Sequence, residues 1–165
     1  MEKTVCPVCD IPTDAEVFDD ANVVEFPEKG QQVVLASFQI HPQYCGILEN
    51  FAQFTDLHAI QNQRIDTKGL EWIILRNGQP LFPYIKLELI VNPWGFNNYA
   101  VAIRLDENSK IEFIVRNRSY DGTTVNRIEK IGGRICGRYW YNRVYGGQDK
   151  SEECDIHLPG VERLF

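Results

Sequence analysis

Leu70-Glu71-Trp72-Ile73-Ile74-Leu75-Arg76-Asn77-Gly78 decides the fold class. The run is short, apolar and rich in residues that suit a pleated strand, and it stops at Asn-Gly. A two-residue type I′ turn needs positive φ at both central positions, which Asn and Gly tolerate best, so this stretch predicts a β-hairpin. Beyond the turn, Tyr84-Ile85-Lys86-Leu87-Glu88-Leu89 alternates strictly. That alternation puts Ile85, Leu87 and Leu89 on one face, expected to be core, and Lys86 and Glu88 on the other.

The same texture extends in both directions. Upstream, Val33–Ile40 is a β-rich run closed by His41-Pro42. Ile47–Phe54 reads as a strand, although Leu48, Phe51 and Phe54 also suit a helical turn. Thr55–Lys68 is polar and aperiodic, a long loop. Downstream, Asn92–Asn98 is a turn-rich loop carrying Trp94 and Phe96. Tyr99–Leu105 and Ile111–Val115 alternate on either side of the polar turn Asp106-Glu107-Asn108-Ser109, and read as a second hairpin. Ile131–Tyr145 holds Gly132, Gly133 and Gly137, which predict bulges or close backbone approach. Seven or eight short strands, and no run that reads as a helix of three turns, predict an all-β fold. The expected architecture is an antiparallel β-sandwich, jelly-roll-like, with extended N- and C-terminal arms.

The 165 residues suit one core, and 44% apolar with 12% aromatic residues suits a packed one. Residues 1–30 are acidic and punctuated by Pro7, Pro12 and Pro27, and are expected to form an extended arm. The sandwich is expected over 31–145 and a C-terminal arm over 146–165. No apolar run reaches the ~20 residues of a membrane-spanning helix. The first residues lack the basic start and apolar stretch of a secretory signal, so a soluble protein made in the cytosol is expected. A net charge of −6 disfavours non-specific nucleic-acid binding, which needs clustered Lys and Arg. Arg134 and Arg138 share a strand face and read as solvated.

Five cysteines without a secretory signal do not read as a disulfide framework, and Cys45 and Cys136 are expected to be buried thiols. Cys6-Pro-Val-Cys9 and Cys154-Asp-Ile-His157 are different. Each spacing lets two soft ligands reach one tetrahedral ion, so together they could form a structural zinc site clasping the two ends. The alternative leaves Cys6 and Cys9 as free thiols in an arm, with Cys154 and His157 unrelated. A redox role for the C-x-x-C fits less well, because that motif belongs to a βαβ setting. The three histidines, His41, His58 and His157, lie in no nucleophile-elbow or related signature, and neither the cupin His-x-His pattern nor a phosphate-binding glycine loop occurs. Asp56 with His58 is the least implausible catalytic couple. No enzyme activity is expected.

Trp94 and Phe96, in a loop flanked by Pro93 and Gly95, suit an interface or a stacking platform as well as packing. Leu164 and Phe165 would be exposed on a monomer, and a neighbouring subunit would cover them. Of Tyr139, Trp140 and Tyr141, either the two tyrosines or the tryptophan should point inward.

The order Ile40-His41-Pro42, Gly46–Phe51, Trp72–Pro80, Val101–Leu105 and Ile111–Asn117, about half the chain, resembles the small β-sandwich modules of tailed-phage virion proteins: head-decoration, head-fibre, neck and tail-accessory proteins. The resemblance implies a non-enzymatic virion component, made in the host cytoplasm. It would act through repeated protein–protein contacts with other virion proteins or further copies of itself, and would bind neither nucleic acid nor membrane. The alternative is a carbohydrate- or receptor-binding β-sandwich module, motivated by Trp94, Phe96, Tyr99 and Trp140.

Overall fold

The computed structural model describes residues 11–56, 65–66, 69–82, 84, 90–91, 96–120 and 128–142. These form β1 (Glu16–Glu25), β2 (Gln32–Gln39), β3 (Tyr44–Thr55), β4 (Ile65–Asp66), β5 (Leu70–Arg76), β6 (Gln79–Pro80), β7 (Ile90–Val91), β8 (Phe96–Leu105), β9 (Lys110–Asn117) and β10 (Lys130–Tyr141). Two four-stranded antiparallel sheets result, in the orders β1-β10-β3-β8 and β2-β9-β5-β6, with a two-stranded ladder of β4 and β7. The pairing is nested. β1 pairs with β10, β2 with β9, β3 with β8, and β5 with β6. A long hairpin rolled up on itself pairs this way, which is the jelly-roll form of a β-sandwich.

The innermost pair is the stretch quoted first. Arg76 pairs with Gln79 around Asn77 (φ 52°) and Gly78 (φ 77°), the type I′ conformation that the dipeptide predicts. Its second strand is short: β6 ends at Pro80, which cannot donate to a further ladder. The alternating run Ile85–Leu89 lies outside the described residues.

Each inner face follows from alternation. Leu70, Trp72 and Ile74 of β5, Ile111, Phe113 and Val115 of β9, and Ile103 and Leu105 of β8 all join one buried core. The Phe51 and Phe113 rings meet across the sheets at 5.5 Å between centroids. In β3 the alternation slips by one residue. Leu48 faces Gly137 and Asn50 faces Cys136, so Glu49 is a bulge, and the inner face passes from Leu48 to Phe51.

Two expectations change. The core does not begin at Gln31. Glu16–Glu25 is the edge strand of one sheet, and its Phe18 is 3% exposed and stacks on Phe38 at 4.2 Å. Its acidic residues hid it: Asp19 is bonded by Arg134 on the exposed outer face, and Asp20 accepts a hydrogen bond from Ser37 N at 2.7 Å. Nor do Tyr99–Leu105 and Ile111–Val115 form a hairpin. β8 pairs with β3 and β9 with β2 and β5, so Asp106–Ser109 carries the chain from one sheet to the other. Alternation reports which face is buried and not which strand is the neighbour, so both arrangements look alike in sequence.

β10 lies between β1 and β3, and its inner face is kept low by glycine. A Cβ on Gly137 would lie 2.7 Å from the Phe18 ring and would strike Ile47 O. A Cβ on Gly133 would meet Phe113 at 2.7 Å and Leu35 at 2.9 Å. Gly137→Ala should therefore cost about 3 kcal/mol, since both backbone and an aromatic ring must shift. Urea denaturation checks this, with Phe18→Leu as a milder variant at the same contact.

Candidate functional site

The two ends of the sandwich differ. At one end the turns are tight: Ile40–Gln43, Asn77-Gly78 and Asp106–Ser109. At the other end β3 finishes at Thr55, β5 starts at Leu70, β9 finishes at Asn117 and β10 starts at Lys130. The long connections 56–69 and 118–129 leave and return there. The chain also enters β8 there, because Phe96 pairs with Phe54. The β4–β7 ladder (Ile65 with Val91, Asp66 with Ile90) joins the connection before β5 to the segment before β8. Long loops on a rigid scaffold are where recognition residues concentrate.

Asn117 organises the rim of this end. It is 1% exposed, and its Nδ2 donates to Pro27 O at 2.9 Å while its Oδ1 accepts from Tyr120 N at 2.9 Å. Its backbone N donates to Gln31 O at 2.9 Å and its carbonyl accepts from Gly30 N at 2.7 Å. One side chain therefore ties the β1–β2 turn to the start of the connection after β9. Nearby, Asp56 Oδ1 accepts from Glu129 N at 3.0 Å, which joins the exit of β3 to the entry of β10. That bond occupies the acid of the Asp56–His58 couple; His58 lies outside the described residues.

Beneath the rim the interior turns polar. Two steps along the inner face from Phe51 lie Gln53 and then Thr55, each 1% exposed. β9 runs toward the same end, and Val115, one inner-face step beyond Phe113, pairs with Trp72. Gln53 thus faces the Val115–Trp72 pair across the sandwich. Both amide atoms of Gln53, Thr55 Oγ1 and Trp72 Nε1 are buried with no hydrogen-bond partner among the described residues. Each such group costs about 1–3 kcal/mol if nothing satisfies it, so this end stores unmet hydrogen-bonding capacity under its loops. At the open side of the sandwich, Tyr99 stacks on Phe51 at 4.9 Å and Tyr84 meets the same ring edge-on at 5.9 Å. Tyr99 is 40% exposed and Phe82 81%. Burial raises the Tyr99 phenol above its ordinary pKa, so at neutral pH it is an uncharged donor.

The outer face of the β1-β10-β3-β8 sheet is built differently. Arg134 grips Asp19 through two nitrogens and Arg138 grips Glu49 likewise, with Arg138 Nε to Glu49 Oε2 at 2.8 Å. The hydrogen bond from Arg134 holds the Asp19 carboxyl below its usual range. The two arginines do share an outward face, as their spacing predicts. Tyr139 joins the core, Tyr141 meets Tyr44 edge-on, and Trp140 turns outward, buried with Cys45 and Ile47 under Ile11 and Ala15.

Cys6, Cys9, Cys154 and His157, expected to hold zinc, and Trp94, Leu164 and Phe165, expected at an interface, lie outside the described residues. Phe96 is placed through its backbone only, at the start of β8. No group of three or more potential metal ligands occurs among the described residues. One cysteine expectation is corrected. Cys45 is disulfide-bonded, whereas Cys136 is a free thiol whose pKa burial raises. The apolar surroundings of Cys45 suited a buried thiol equally well, because a disulfide is as apolar as the thiol it replaces. The Gln53–Thr55–Trp72 group escaped sequence reading too. Thr55 reads as the start of a long loop and Gln53 is assigned no face; the bulge at Glu49 turns both inward.

The two sides of this end should respond oppositely to substitution. Asn117→Ala leaves Tyr120 N without its acceptor and Pro27 O without its donor, and should cost about 2 kcal/mol. Gln53→Met removes an amide that has no partner among the described residues and should be neutral or stabilising by about 1 kcal/mol. Chemical denaturation of both variants checks the pair; a large loss in Gln53→Met would mean the amide is satisfied in solution.

No family model matches the chain, and no curated protein matches it in sequence. Two solved structures are similar at 10% identity. One is the crystal structure of FLHE, with a TM-score of 0.40, covering 77% of this chain and 98% of that one. The other is a family 35 carbohydrate-binding module from Clostridium thermocellum, with a TM-score of 0.30, covering 73% of this chain and 91% of that one. At these scores neither likeness carries an argument about function.

Proposed function

We propose that this protein is a non-enzymatic binding module that holds its partner with the loop-bearing end of a jelly roll, in the setting of a phage particle as a decoration, neck or tail-accessory protein. One observation carries the binding reading: the strands that the long connections join end and begin at a single end of the sandwich, where inner-face side chains have no hydrogen-bond partner among the described residues. The particle setting rests on the strand order that resembles virion modules, and on the use of jelly rolls as capsid building blocks, which is an analogy at the level of fold.

A second reading has its own observation. Gln53, Thr55 and Trp72 offer amide, hydroxyl and indole groups, and Tyr84, Tyr99 and Phe82 add aromatic surface at the adjoining open side. Amides for hydroxyls and rings for stacking are what a sugar takes. Jelly rolls also serve as lectin domains.

Two measurements separate these readings. In light scattering and co-sedimentation with purified capsid, neck and tail assemblies, the assembly reading expects self-association or saturable binding that weakens at least tenfold in Trp94→Ala. A strictly monomeric protein with no affinity for any of these assemblies overturns it. On a glycan array, the sugar reading expects binding lost in both Trp94→Ala and Gln53→Met, and silence across the array removes it.

A further inference from the structure

The tight-turn end of the sandwich carries a group of aromatic rings. Tyr44 and Tyr141 face each other on the last rung of the β3–β10 ladder, and Tyr139 stands one inner-face step back along β10. Tyr44 is the hub. Its ring meets Tyr141 at 5.7 Å and 85°, Tyr139 at 5.8 Å and 50°, and His41 at 6.3 Å and 78°. Tyr44 and Tyr139 pack partly against the core, whereas Tyr141 is 46% exposed and does not join it. Glu16 opens β1 in register with Tyr139, and the Tyr139 hydroxyl donates to Glu16 Oε2 at 2.6 Å.

We propose that this corner binds a trimethylammonium group, such as that of choline. In a near-perpendicular ring pair the face of one ring is a floor and the face of the other a wall. A cation lodged in the angle meets two negative π faces at once. Centroids 5.7 and 5.8 Å apart keep that cation within the reach of about 6 Å over which a ring face attracts it. A trimethylammonium group carries no N–H, so seating it against rings leaves no donor unsatisfied. Glu16 supplies the opposite charge. Apart from the Tyr139 hydroxyl it has no hydrogen bond or ion pair among the described residues, so its carboxylate stands beside the rings uncompensated. The same hydrogen bond, with burial adding to it, pushes the Tyr139 phenol above its ordinary pKa and keeps it a neutral ring.

Packing alone accounts for Tyr44 and Tyr139, which finish the core, but it does not account for Tyr141. That ring stands half in water at a right angle to Tyr44. No Lys or Arg occupies the angle among the described residues. Arg138, next to Tyr139 in the chain, lies on the outer face of the sheet and is held by Glu49. The corner is at the opposite end from the long loops, so the proposal is independent of what the loop end binds.

The test is an NMR titration of the full-length protein with choline and with its neutral tert-butyl analogue, which has the same shape without the charge. The choline N-methyl resonance should move upfield and saturate, as ring currents above π faces require, and choline should bind about tenfold more tightly than the analogue. Tyr141→Leu should weaken choline about tenfold with the urea midpoint unchanged, because that ring lies outside the core. Tyr44→Phe keeps the ring and should keep the affinity. Glu16→Gln still accepts from Tyr139 but removes the charge, and should weaken choline severalfold. Phosphatidylcholine vesicles assign the source: sedimentation with vesicles that is lost in Tyr141→Leu marks a lipid headgroup, and choline binding without it marks a soluble ligand; either result supports the site. No saturable shift with choline, equal affinity for the neutral analogue, or undiminished binding in Tyr141→Leu overturns the proposal.

Discussion

Everything in this fold waits on the room above β10. The strand is central in its sheet, flanked by β1 and β3, and its inner side must admit Phe18 from one neighbour and Phe113 and Leu35 from the opposite sheet. Gly133 and Gly137 provide the room. Side chains there would hold the sheets apart, the Phe18–Phe38 stack would open, and the nested pairing would lose its outermost pair. Stability here depends on atoms that are missing as much as on apolar area, as expected of interiors packed like organic crystals.

From that close approach the rest follows in layers. Phe51 and Phe113 close the middle. Toward the tight turns the interior is apolar, with Leu48, Leu105 and Ile111 completely covered. Toward the long loops it turns polar, first at Gln53 and Trp72 and then at the Asn117 rim. One end of the sandwich is thus finished by packing and the other by hydrogen bonds. Gln53, Thr55 and Trp72, whose buried polar atoms have no hydrogen-bond partner among the described residues, lie at the second, which couples the polar change in the core to the place where binding is proposed.

Much of this was readable in the residues. The Asn77-Gly78 turn, the strand character of 33–40, 47–54, 70–76, 99–105, 111–115 and 131–141, and the all-β class followed from composition and period. What stayed hidden has physical causes. The acidic residues of β1 carry the same letters whether water or Arg134 and a backbone N–H satisfies them. The hairpin read across Asp106–Ser109 failed because a two-residue period specifies a face and leaves the neighbour unspecified. A single bulge at Glu49 exchanged the faces of β3 beyond it, moving Gln53 and Thr55 inside. The residues expected to hold zinc and the aromatics expected at an interface, apart from the backbone of Phe96, lie outside the described residues, so the candidate site is one the sequence did not point to.

The nested pairing also sets the order of events as the chain is made. Tyr139 OH donates to Glu16 across a separation of 123 residues, and the pairings of β2 with β9 and β3 with β8 are also long-range. Among the described pairs, the Asn77-Gly78 hairpin closes locally. On a ribosome, β1 and β2 must wait, with Phe18 and Phe38 uncovered, until β9 and β10 have emerged. High contact order of this kind folds slowly and leaves strand edges exposed for longer. The acidic residues of β1 then have an earlier duty than their final bonds: a waiting edge strand bearing Glu16, Asp19, Asp20 and Glu25 repels its own copies on neighbouring nascent chains.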